Sequence, residues 1–223
     1  MQKFDTPAPV TAVLDIPAGH IRLTAADRSD TVVEVRPADA SKNRDVKAAE
    51  RIRIAYADGV LRIEAAPAQN RILGDGGQVE VSVQLPAGSR IEAKAALAEL
   101  RGTGRLGDVV FEGAQATVDL DETASARLTL QSGDIHLGRL GGPARLGTQK
   151  GDLTVTEAAG GAVSLHTEHG DISVGAARGV SATLDAGTSY GRIHNALHNT
   201  DGAAARLTII ATTTYGNVTA RSL

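Results

Sequence analysis

Ser132-Gly133-Asp134-Ile135-His136-Leu137 is followed by Lys150-Gly151-Asp152-Leu153-Thr154-Val155 and His169-Gly170-Asp171-Ile172-Ser173-Val174. The phrase returns in looser form as Tyr190-Gly191-Arg192-Ile193-His194 and Tyr215-Gly216-Asn217-Val218-Thr219. The five glycines are spaced by 18, 19, 21 and 25 residues, a nearly fixed period that marks a repeat architecture. Two and four places after each glycine the residues are almost all apolar; one and three places after it they are polar, the alternation of a half-buried strand. A second strand precedes the glycine, with inward residues such as Val163, Leu165 and Thr167 seven, five and three places before Gly170. Inward positions therefore change parity across the X-X-Gly-Asp segment. A straight strand cannot do that, so the chain bends there, where Gly tolerates positive φ and Asp can hydrogen-bond the local backbone. Each repeat is two short strands joined by a corner.

One such repeat cannot bury its apolar face alone. Stacking does so: equivalent strands of successive repeats pair in parallel about 4.8 Å apart, building columns of Ile, Leu, Val and Thr. The expected fold is all-β, a β-solenoid or β-roll-like stack of two-strand repeats with an amino-terminal β-layer. An antiparallel β-sandwich with regular turn spacing is the alternative, and periodicity alone does not separate the two. Of the 223 residues 42% are hydrophobic but only 2% aromatic, so the core is drawn from small and branched residues that suit repeated columns. A formal charge of −3 gives no basic field for phosphate backbones, and the absence of Trp with only two Phe and three Tyr takes away the usual stacking platforms, so nucleic acid binding is not expected. There is no Cys, hence no disulfide and no thiolate metal site.

Toward the amino terminus, Val10–Leu14, Ile21–Ala25, Thr31–Arg36, Arg51–Tyr56, Val60–Glu64 and Val79–Leu85 read as strands, with Asp58-Gly59 as a hairpin turn. Residues Ser41 to Glu50 form a long loop or a short helical turn. The basic residues Lys42, Arg44, Lys47, Arg51 and Arg53 are interleaved with Asp45 and Glu50, the pattern of a solvated face. Ile16-Pro17-Ala18-Gly19-His20-Ile21 is echoed by Leu85-Pro86-Ala87-Gly88-Ser89-Arg90-Ile91, which reads as one strand-turn-strand device used twice. Pro67 to Gly77 is the candidate boundary, and the expected organisation is an amino-terminal strand region over 1–78, continuous with a repeat region over 79–223. Met1 to His20 contains no apolar run of the signal-peptide type, and no stretch approaches a membrane span. The expectation is a cytoplasmic chain as written, or a cell-surface or secreted one if a leader precedes it, with no direct membrane insertion.

The Pro-Ala-Gly turn followed by the Ser-Gly-Asp-Ile, Lys-Gly-Asp-Leu and His-Gly-Asp-Ile phrases resembles the bacterial putative-adhesin family of β-strand-repeat proteins, a domain family of otherwise unknown function. The likeness runs from about Pro9 to Ala220 and is clearest over Leu128 to Val174. It implies an all-β solenoid-like domain with no established reaction and no accepted catalytic residues. Arg192 and Asn217, standing where the other repeats have Asp, depart from the pattern.

Stacked carboxylates at Asp134, Asp152 and Asp171 could hold Ca²⁺ or serve as an acid/base pair, but Ca²⁺-binding rolls use a denser Gly-Asp pattern and a repeated environment does not separate two acids chemically. The preferred reading is that each Asp caps its own corner. His136, His166, His169, His194 and His198 read as surface histidines, since a metal site needs three or four converging ligands. No cofactor, metal ligand set or catalytic residue is expected. Tyr190 and Tyr215 precede the glycine in the last two repeats and can stack; with Arg192 they form either a small aromatic and cationic patch for a sugar or peptide, or a structural ladder.

The resulting candidate interaction surface is Asp134, His136, Asp152, Thr154, Asp171, Ser173, Tyr190, Arg192 and Tyr215. It belongs to a non-enzymatic scaffold that binds a protein or a cell-surface component. The alternative is a carbohydrate-active β-helix enzyme, a lyase or hydrolase, using acidic residues and Arg192 in a groove. Parallel stacking also leaves terminal strands uncapped, so the last rung is expected to meet the amino-terminal layer or a second copy in a homo-oligomer.

Overall fold

The computed structural model describes residues 1–66 and 77–223; positions 67–76, most of the candidate boundary segment, lie outside the described residues. The chain is nearly all-β and divides into two compact units, Met1–Ala116 and Thr117–Leu223.

In the amino-terminal unit β1 (Gln2–Asp5), β2 (Thr11–Asp15), β3 (Ala18–Ala26) and β4 (Asp30–Pro37) lead into helix α1 (Asn43–Glu50). Then come β5 (Ile52–Ala57), β6 (Val60–Ala65), β7 (Val79–Pro86) and the first part of β8 (Arg90–Ser132). Two parallel layers result. In one, β2 lies between β6 and residues Arg90–Lys94 of β8; in the other, β3 lies between β7 and residues Leu97–Gly104 of β8. Antiparallel strands then cover the outer edges, β5 on β6, β4 on β7 and β1 on β4. Asp58 (φ 51) and Gly59 (φ 77) make the β5–β6 hairpin with two successive positive φ values, as a type I′ turn requires.

The Pro-Ala-Gly echo proves to be two opposite corners. The turn at Pro17 carries the chain from the first layer to the second, whereas Pro86–Ser89 carries it back. Buried Ser89 fixes the return: its hydroxyl donates to the Pro86 carbonyl at 2.6 Å and accepts the Val10 N–H at 3.0 Å. Within the basic segment, Asp45 is buried and accepts the Gln78 N–H at 3.0 Å, fastening α1 to the chain that enters β7.

The carboxy-terminal unit continues β8 with β9 (Ile135–Leu140), β10 (Ala144–Lys150), β11 (Leu153–Ala158), β12 (Gly161–His169) and β13 (Ile172–Ala176). It ends with β14 (Ala182–Tyr190), β15 (Ile193–Ala196), β16 (Leu207–Tyr215) and β17 (Val218–Ser222). All its strand pairs among the described residues are parallel, which excludes the antiparallel sandwich and makes the unit a two-layer β-solenoid. The core lies between the layers. One of its columns runs Ala126, Ala144, Val163, Ile209, Leu184 and another Ile135, Leu153, Ile172, Val218, Ile193.

Those columns correct one expectation. The repeats do not stack in sequence order: β16 pairs with β12 on one side and β14 on the other, and β17 with β13 and β15. The spatial order is first, second, third, fifth, fourth. After β13 the chain passes over the width of one rung to lay down β14 and β15, then returns through 197–206 to fill the gap. The two longest glycine spacings are the residues used for that skip and return. The rung last in sequence is therefore paired on both sides, by β12–β13 and by β14–β15. The open rung is β14–β15, where Ile193 is 46% exposed while its column neighbour Val218 is 1% exposed.

Candidate interaction surface

The Gly-Asp corners are tied together by a directional pair of hydrogen bonds. Going forward, the Asp134 carboxylate accepts the backbone N–H of Asp152 at 2.8 Å, Asp152 that of Asp171 at 2.7 Å, and Asp171 that of Asn217 at 2.7 Å. The side-chain oxygen of Asn217 accepts the N–H of Arg192 at 3.1 Å. Going back, the hydroxyls of Thr148, Thr167, Thr213 and Thr188 donate to the carbonyls of Gly133, Gly151, Gly170 and Gly216 at 2.9–3.3 Å. Rung-to-rung approach at the corner demands glycine: a Cβ on Gly170 would stand 2.0 Å from the Gly151 carbonyl oxygen, at φ +155.

Each acid thus caps the corner of the next rung, not its own, because its neighbour's N–H points along the stack. Both departures from the pattern become intelligible. Asn217 keeps an acceptor oxygen because a rung follows it in space. Arg192 has no acceptor because it stands on the outermost rung.

Three outward lanes collect the candidate residues. The first is Asp134, Asp152, Asp171, Asn217 and Arg192. Beside it runs a lane of Ser132, Lys150, His169, Tyr215 and Tyr190. Its last three rings form a continuous stack, Tyr190 on Tyr215 at 4.8 Å and 4°, and Tyr215 on His169 at 5.0 Å and 14°. Tyr190 is 66% exposed and Tyr215 49%. His169 was not expected in this ladder, since its contact with Tyr215 exists only because the fifth repeat adjoins the third.

The third lane is Asp119, His136, Thr154, Ser173, Thr219 and His194. His136 bridges three rungs: Nδ1 is 2.9 Å from the Asp119 carboxylate and Nε2 is 3.1 Å from the Thr156 hydroxyl. Sequence reasoning missed both partners, which lie in β8 ahead of the first glycine-centred phrase and one outward position farther along β11. The relay has the order of a general-base triad, but acyl transfer also needs free N–H donors for an oxyanion. Here the nearby N–H groups of Ile135 and Leu153 are spent on the Asp152 and Asp171 carbonyls. The arrangement serves to tie rungs together.

Among the described residues no three His, Cys, Asp or Glu side chains converge as metal ligands. Two acids of the amino-terminal unit are held well below the ordinary carboxylate range: Asp30, at about 2 through hydrogen bonds from Arg28 and then Lys3, and Asp39, at about 2 through the Ser41 hydroxyl and backbone N–H and then Lys42.

A parallel two-layer solenoid whose rungs are joined by Thr-X-X-Gly-Asp corners is a structural-repeat protein, and comparison with known proteins places it more closely. Residues 90–221, more than half of the chain, match the family model Toastrack DUF4097, and the chain belongs to that family, a domain of unknown function. No functionally curated protein matches it. Among solved structures, a putative adhesin of Bacteroides fragilis NCTC 9343 superposes with a TM-score of 0.59 at 15% identity, covering 100% of this chain and 95% of that one. A putative adhesin of Parabacteroides distasonis ATCC 8503 gives a TM-score of 0.45 at 14% identity, with 100% and 95% coverage. At 15% identity the likeness to the Bacteroides fragilis protein is one of fold.

Proposed function

We propose that the chain is a non-enzymatic β-repeat scaffold that binds a protein or cell-surface component through the corner lanes of its carboxy-terminal unit. One observation carries this reading: the corner acids are committed to backbone N–H groups of neighbouring rungs, while the rings beside them end in a broadly exposed Tyr190 face with Arg192 on the same rung. Stacked tyrosine faces and a guanidinium suit recognition of a sugar ring or a peptide side chain without any reaction. Carboxylates already used as caps are poor material for a lyase or hydrolase, and the adhesin names of the structural neighbours point the same way.

The test is binding of the chain to bacterial and host cell surfaces and to glycan and protein arrays, comparing wild type with Tyr190→Ala/Tyr215→Ala and Arg192→Ala. Binding that falls at least tenfold in the double variant, with the fold intact by circular dichroism, supports the ridge. If the double variant keeps every binding property and only melts lower, the rings are a structural ladder and the proposal fails.

The same proposal assigns the edge β14–β15 to a second copy of the chain. Among the described residues each of these strands pairs with one strand only, and Leu184 and Ala186 are half-buried where their interior equivalents are sealed. Light scattering that shows only monomer at high concentration removes the homo-oligomer from the proposal and leaves the ridge.

A further inference from the structure

Arg44, Lys47, Ala48 and Arg51 stand at i, i+3, i+4 and i+7, a single face of α1 and its C-cap. When a helix packs on a sheet this stripe is ordinarily apolar. Here it carries three cations, and it lines a cavity of about 210 Å³ whose other walls include Ala18, Ile52, Ala65 and Val79. Buried Asp45 fastens the helix here by accepting the Gln78 N–H, a contact that uses neither Lys47 nor Arg51. Arg44 lies 3.7 Å from Asp45; Lys47 and Arg51 have no ion pair among the described residues.

We propose that this cavity binds a small amphiphilic anion, a carboxylate carrying one short aliphatic chain. The head is specified by the rim, because guanidinium forks match a carboxylate with two parallel hydrogen bonds and the ammonium adds charge. The tail is specified by the walls, which among the described residues offer aliphatic surface and no charged group beneath the rim. The volume is about seven times the share of one water molecule in the liquid, room for a chain of roughly six to eight carbons. The competing arrangement is that the Arg and Lys stems themselves cover the apolar walls while their heads stay in water. That arrangement does not discriminate between head groups, and so it is separable by experiment. The inference concerns the amino-terminal unit and does not rest on the function proposed above.

The experiment is calorimetric titration of the full chain at low salt with octanoate, with octyl glucoside and octyltrimethylammonium as neutral and cationic chains of equal length, and with acetate as a head without a tail. Octanoate is expected to saturate one site per chain, with each of the other three at least tenfold weaker. Lys47→Glu/Arg51→Glu, both on exposed positions, should weaken octanoate at least tenfold without changing the melting temperature by more than a few degrees. Ala65→Leu keeps every charge, fills the cavity and should abolish binding; if that variant does not fold, the charge-reversal pair decides alone. No octanoate binding at millimolar concentration, equal binding of octanoate and octyl glucoside, equal binding of acetate, or octanoate binding untouched by the charge reversal would each overturn the proposal.

Discussion

The interleaved order of the last two repeats can be tested with a single disulfide. The chain has no cysteine, so any introduced pair reports alone. On the outward face of the first layer, His166 pairs with Thr212, and Thr212 with Gly187. His166 and Thr212 are adjacent enough for a 2.9 Å hydrogen bond between their side chains, and about 4.8 Å of strand spacing falls within the Cα range of a disulfide. His166 and Gly187 are two spacings apart, about 9.6 Å, beyond the ~7 Å that a disulfide can span. His166→Cys/Thr212→Cys should therefore oxidise nearly completely, whereas His166→Cys/Gly187→Cys should remain a dithiol. The bridged residues are 46 apart, so the lost loop entropy of the unfolded chain corresponds to about 4 kcal/mol as a ceiling, less about 1 kcal/mol for the hydrogen bond removed. At roughly 2–4 °C per kcal/mol for a protein of this size, the oxidised form should melt several degrees above the reduced one. Non-reducing electrophoresis, thiol titration and melting with and without reductant read the outcome. Ready oxidation of the 166/187 pair with a persistent 166/212 dithiol would restore stacking in sequence order and refute the interleaving.

Gly170→Ala should cost at least about 3 kcal/mol by denaturant unfolding, combining a left-handed backbone penalty of about 1–2 kcal/mol with the collision against the Gly151 carbonyl. Arg192→Asp should change stability by less than about 0.5 kcal/mol, because among the described residues no rung lies beyond it, while Asp171→Arg should cost roughly 1.5–3 kcal/mol by taking the acceptor from the Asn217 N–H; equal losses would contradict the directional ladder. Thr123→Val should stabilise by about 1 kcal/mol, since the buried Thr123 hydroxyl has no hydrogen-bond partner among the described residues. Asp30 has a folded-state pKa of about 2, below its ordinary 3.8, so the stability it contributes is complete above pH 3.8 and is lost as pH falls through about 2. Asp30→Asn should flatten that part of the acid unfolding curve, measured by melting between pH 5 and pH 2.

The parity slip across each Gly-Asp corner was enough to expose two strands per repeat, and the columns follow from it because every inward residue in this unit is small or branched. The order of the rungs was not legible from the same columns. Leu146, Leu165, Ala211 and Ala186 follow one another down one column, and exchanging the last two changes nothing in a hydrophobic pattern. The information lay in the polar residues of the corner. A lane in which each member accepts from the next must end on a residue that need not accept, and Arg192 is the one member of the five without an acceptor. Arg192 departs from the family pattern because it stands on the outermost of the five rungs.

The same reasoning explains which parts of the candidate surface were readable. Asp134, Asp152 and Asp171 share a lane in any stacking order, so their grouping survives, and Tyr190 meets Tyr215 whether the fourth repeat lies inside or outside the fifth. The contact of His169 with Tyr215 requires the interleaved order, and the bridge from Asp119 through His136 to Thr156 requires a diagonal reach that no column predicts. Interleaving also determines what the unit presents. β16 and β17 are held between neighbours, so the fourth repeat covers the fifth. The exposed rung is then the one that carries Tyr190, Arg192 and Ile193. An aromatic face, a cation and an open strand edge are consequently brought to one place by this rung order.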